Sequence, residues 1–89
     1  MFSFRWIEWN IDKCTAHKVT PEEAEYVVNH ARHPYPRRIE DEKILVWGQA
    51  QTGRYLQVIY LVQEDDDLFV IHARPLTAKE KHRHRRRKR

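Results

Sequence analysis

The chain has 89 residues, of which 40% are hydrophobic and 34% charged, and its formal net charge is +4. That length gives one domain, residues 1–89, with no room for a second core. No apolar run reaches membrane-span length, no long apolar signal core opens the chain, and Cys14 is the single cysteine, so a cytoplasmic protein without disulfides or membrane contact is expected.

Aromatic residues alternate from Phe2 to Trp6, which predicts a short strand over residues 3–7. Asn10 is a candidate cap for a helix over 11–17, with Ile11 and Cys14 facing inward. Lys13 and His17 are four apart and share a face of that helix. Thr20–Pro21–Glu22–Glu23 is a stronger signal. It combines an N-cap, a proline in the first helical position and the glutamate of a capping box. Ala24, Val27, Val28 and Ala31 then repeat on one stripe, which predicts a helix over 21–31.

His33–Pro34–Tyr35–Pro36 stops that helix. Residues 37–41 read as a short edge strand or a loop. Lys43–Ala50 and Arg54–Gln63 read as strands joined by a turn at Gly53, and Glu64–Asp67 as an acidic turn. The last strand is Leu68–Arg74, ended by Pro75. Strict alternation puts Phe69, Ile71 and Ala73 on one face, with Leu68, Val70, His72 and Arg74 on the other. Thr77 and Glu80 form a second capping box, so a helix follows. Three strands with short turns make an antiparallel meander. The fold class is α+β: two N-terminal helices on a small meander sheet, with a short basic C-terminal helix. Helices should cover one sheet face, and something should partly shield the other.

Charge is divided unevenly. Residues 79–89 hold eight Lys/Arg against one acid, and residues 1–78 hold nine against twelve. A dense basic end on a mildly acidic body points to a polyanion, most often nucleic acid. Lys79, Arg83, Arg85, Arg86 and Arg87 are its candidate phosphate contacts, joined by Lys13 and His17. The bland reading is a solubilising tail. Cys14-x-x-His17, His30-x-x-His33 and His82-x-His84 each lack the other two ligands of a closed zinc site, and no glycine-rich phosphate loop exists, so no metal or cofactor is expected. Trp47 is assigned to the core and Trp9 to the surface.

Several segments occur in an order that resembles the BrnT family, toxins of bacterial type II toxin–antitoxin pairs related in fold to RelE-like ribonucleases. The matching residues are Phe4–Arg5–Trp6, Trp9–Asn10, Lys13, His17–Lys18–Val19 and Thr20 to Ala24. Further on, they are Trp47–Gly48, Gly53–Arg54, Val58–Ile59–Tyr60 and Ile71–His72–Ala73–Arg74 followed by Glu80. His72 departs from the family, which more often has serine there, and Lys18 replaces part of its Lys-His-Gly turn. The resemblance implies an RNA endonuclease held inactive by a cognate antitoxin, the pair acting on its own operator DNA through the antitoxin.

Metal-free cleavage through the 2′-hydroxyl needs a base, an acid and a cation for the phosphorane. Arg54, His72 and Arg74 are expected to supply these from one sheet surface, His72 moving the proton and the two arginines holding phosphate. The bland alternatives are a salt bridge from Arg74 to Glu80 and a half-buried structural His72. The rival class of function is a non-catalytic nucleic-acid-binding or assembly module that works through the basic tail.

Overall fold

A four-stranded antiparallel sheet, described with its helices in a computed structural model over residues 1–87, organises the chain. The elements are α1 (Glu8–Thr15), α2 (Pro21–Asn29), β1 (Arg37–Arg38), β2 (Ile44–Gln49), β3 (Tyr55–Val62), β4 (Leu68–Pro75) and α3 (Ala78–Arg87). The strands lie in the order β1-β2-β3-β4. The α+β class, the early helices, the meander and the C-terminal helix are therefore all present, with β1 added as a two-residue edge.

Leu56, Val58 and Tyr60 of β3 are buried, as are Val46 of β2 and Leu68, Val70 and Ala73 of β4. They form one sheet face, closed by Cys14 of α1, Ala24, Val27 and Val28 of α2, and Val19 between the helices. α2 lies close upon β2. A Cβ on Gly48 would stand 3.2 Å from the Val27 Cγ1, so a larger residue there would make the Val27 side chain give way by a few tenths of an ångström. The capping box of α2 forms as expected: Glu23 N–H donates to the Thr20 hydroxyl, and Thr20 N–H to the Glu23 carboxylate, each at 3.1 Å. Thr77 and Glu80 repeat that arrangement at the start of α3.

Three local expectations are corrected. The strand over 3–7 is reduced to a single parallel bridge between Phe4 and Leu68. Asn10 does not cap α1 from outside. It lies in the first turn, fully buried, and its side chain accepts from Ile7 N–H at 2.7 Å while donating to the Arg5 carbonyl at 2.9 Å. The helix thus begins at Glu8, three residues before the expected start.

The third correction concerns β4. Ile59 pairs with His72, but Tyr60 pairs with Val70, so Ile71 is an extra residue. A bulge of this kind resets the alternation. Leu68 and Val70 share the core face with Ala73, while Phe69, His72 and Arg74 face the other way beside Leu61, Ile59 and Gln57. His72 and Arg74 remain on one face, now without Leu68 and Val70.

That second face is the open one, and α3 shields a corner of it. His84 is 6% exposed and sits among Tyr35, Trp47 and Tyr55, with ring centroids 5.8 to 6.3 Å away. The basic end is thus a docked helix through the described residues. Lys88 and Arg89 lie outside them.

Candidate nucleic-acid interface

Spacing along α1 sets the first half of the site. Trp9 and Lys13 are four residues apart on one face of α1, and His17 follows in the turn that leaves it. That face runs beside β4. Trp9 is 48% exposed and stacks on Phe69, with ring centroids 5.9 Å apart and planes 9° from parallel. The Lys13 ammonium lies 5.1 Å from the centre of the Trp9 ring. His17, just past the end of α1, meets His72 edge-on at 5.6 Å between centroids. Lys18 makes this turn possible by taking a φ of 62°, while Val19 N–H donates back to the Cys14 carbonyl at 3.0 Å.

Two imidazoles in contact on an open face disfavour simultaneous protonation. The pKa of His72 lies below its ordinary 6.5, first because the ring is partly buried, then because His17 and Arg74 are cationic neighbours. The neutral form of His72 is therefore favoured.

Arg74 is heavily engaged. Its guanidinium donates to both Glu80 oxygens at 2.8 and 2.9 Å, to the Gln57 side chain at 3.3 Å and to the Pro75 carbonyl at 3.0 Å. The Glu80 carboxyl is held down to about 2, chiefly by this hydrogen bond from Arg74. The side-chain oxygen of Gln57 also accepts from the Trp47 indole at 3.0 Å, so one amide on β3 joins β2 to β4. Arg74 and Glu80 form the bidentate contact between β4 and α3. This bidentate pair ties the helix to the sheet. It spends the fork that a phosphate would use.

Arg54 does not join His72 and Arg74. Its side chain has the parity of Leu56 and Val58, the face under the helices. There it donates to Glu23 at 2.9 and 3.3 Å and to the Lys18 carbonyl at 2.5 Å. The expectation of one sheet surface carrying all three residues is corrected on this point: Arg54 fastens α2 and the α1–α2 turn to β3. The Glu23 carboxyl is held near 2, first by its hydrogen bond from Arg54.

The remaining cations lie on α3. Lys79, Arg83, Arg85 and Arg86 are exposed, and Arg83 lies over the Trp47 ring at 5.6 Å. The side chain of Arg87 is outside the described ones. Among the described residues, no three His, Cys, Asp or Glu gather as a metal group. Cys14 is buried in the core, which raises its pKa to about 11. Sequence reasoning met His84 only as half of the His82-x-His84 pair and missed its packing role. A histidine within an arginine run reads as one more polar residue, and only the aromatic character of Tyr35, Trp47 and Tyr55 hinted at its pocket.

Compared with protein-family models, with curated proteins and with solved structures, the chain matches none. Among the described residues, no helix is long and apolar enough to cross a membrane.

Proposed function

We propose that this protein is a small metal-independent RNA endonuclease, the toxin of a type II toxin–antitoxin pair of BrnT type, acting in the cytoplasm and neutralised by a cognate antitoxin. Operator DNA is then engaged only through the antitoxin. The observation that carries the reading is the His17–His72 contact beside the exposed Trp9 and Lys13. RNA cleavage by internal attack forms a bond from O2′ to phosphorus and breaks the bond to O5′. One imidazole must take the 2′ proton, and the other must give a proton to O5′. His72, kept neutral by burial and by its neighbours, is the base. His17, exposed to solvent, is the acid. Lys13 takes the phosphate-holding part first given to Arg74, because Arg74 is engaged by Glu80. Trp9 offers a ring on which a base stacks.

The test is digestion of a long single-stranded RNA in EDTA by wild type, His17→Ala, His72→Ala and Lys13→Ala. Loss of one imidazole is expected to slow cleavage by about 10²- to 10⁴-fold, with products ending in a cyclic 2′,3′-phosphate. Equal cleavage by wild type and both histidine variants removes the proposed pair.

A second reading has its own support. The engagement of Arg74 by Glu80 and the ordered cations of α3 fit a binding module without catalysis. Deleting residues 82–89 then abolishes RNA binding, whereas in the first reading it weakens cleavage without ending it.

A further inference from the structure

Among the described residues, the outer edge of β2 is only half covered. Residues of an antiparallel strand bond alternately to one neighbour and the other. Ala50 N–H donates to the Arg54 carbonyl at 2.8 Å, so Ala50, and with it Gly48, Val46 and Ile44, bond inward to β3. Ile39 N–H donates to the Lys43 carbonyl at 3.0 Å and Arg37 pairs with Leu45, so Lys43 and Leu45 bond outward to β1. Trp47 and Gln49 share that outward parity. In this register Tyr35 would stand opposite Trp47, but its N–H donates to the Arg32 carbonyl at 2.8 Å instead.

The edge opens instead into a cleft of about 400 Å³. Its walls come from His30, Arg32 and His33 on one side and His84 on the other, and among the described residues no carboxylate lines it. Arg83 over Trp47 and Arg37 over Tyr35, each at 5.6 Å, add charge at the rim.

We infer that the Trp47–Gln49 edge of β2 receives an extended, acidic protein segment as an added β-strand. An exposed edge is a template for main-chain pairing, and alternate side chains then give specificity. The edge presents amides and carbonyls together. A phosphate satisfies the amides but faces the carbonyls. A peptide backbone satisfies both. Arg32 in the wall, with Arg83 and Arg37 at the rim, selects carboxylate side chains. They disfavour a second copy of this chain, which would set Arg32 and Arg83 against like charges. Arg83 is also a candidate phosphate contact, but the Trp47–Gln49 edge and Arg32 lie outside the proposed nuclease site, so the inference stands apart from that reading.

The probe is a fluorescein-labelled heptapeptide of alternating valine and glutamate. Its controls carry lysine for glutamate, or N-methyl groups at alternate residues. Binding is followed by anisotropy, and amide hydrogen exchange is read at Trp47 and Gln49. The acidic peptide should slow exchange at both amides by about tenfold or more and leave Leu45 unchanged. Gln49→Pro removes one outward N–H and spares the β2–β3 ladder. It should weaken binding about tenfold while the unfolding midpoint stays near wild type. Arg32→Glu should weaken binding as well, and His72→Ala should not. Absence of binding overturns the inference. So does binding that ignores N-methylation, which keeps the test decisive if Gln49→Pro misfolds. Protection of the same amides by an oligouridylate, or by self-association on gel filtration, also overturns it.

Discussion

Lys18 shows how one backbone angle supports the proposed site. Its φ of 62° brings His17 round to His72, yet a residue with a Cβ adopts that region at a cost of about 1 kcal/mol. Lys18→Gly is expected to raise stability by about 0.5 kcal/mol after allowing for the freer unfolded chain, with the Arg54 contact to the residue 18 carbonyl retained. Denaturant unfolding checks this, and a destabilised variant would mean that the lysine side chain matters more than its backbone. Glu23 and Glu80 act through charge. Each is held near 2, below the ordinary 4.5, chiefly by the hydrogen bond from Arg54 or Arg74. A carboxyl depressed in the folded state stabilises fully above its unfolded value, and that contribution disappears as pH falls through the folded value. The thermal midpoint should therefore drop between pH 4.5 and about 2. Glu23→Gln and Glu80→Gln should each start lower at pH 7 and show a shallower acid slope. An unchanged slope in both variants would show that these pairs do not govern acid stability.

At the level of elements, buried Asn10 holds the turn into α1. Removing its amide leaves the Ile7 N–H and the Arg5 carbonyl without that partner in a sheltered place. Asn10→Ala should cost about 2–3 kcal/mol, measured by urea unfolding, and a loss below about 0.5 kcal/mol would show that water replaces the side chain. This element also shows where sequence stops being legible. Thr20 to Glu23 announced α2 because cap, proline and box act within four residues. Asn10 misled because the same side chain caps from outside a helix or braces it from its first turn. Alternation gave the pairing of β2 with β3, both regular. It failed in β4, where Ile71 is an extra residue that no local pattern marks. The nearness of His17 and His72 depends on how α1 lies along the sheet. Spacing alone predicted the Lys13–His17 row, but not its neighbour. Arg54 was assigned chemistry by type; strand parity and Glu23 decide otherwise.

For the whole molecule, the division of charge matters more than its sum. RNA binding should weaken steeply with salt, since each neutralised phosphate releases counterions. Removing residues 82–89 deletes six Lys/Arg. The slope of log K against log salt should then become shallower by up to about 4, at roughly 0.7 per contact. An unaltered slope would place the polyanion elsewhere. The clamping of α3 by Arg74–Glu80 at one end and His84 farther along has a further effect. Its described cations project from a helix docked at two points, and Lys79 and Arg83 lie one turn apart on it. A flexible tail would surrender chain freedom on meeting a polymer. Here that entropic loss falls mainly on the guest, leaving more of each electrostatic contact as net affinity.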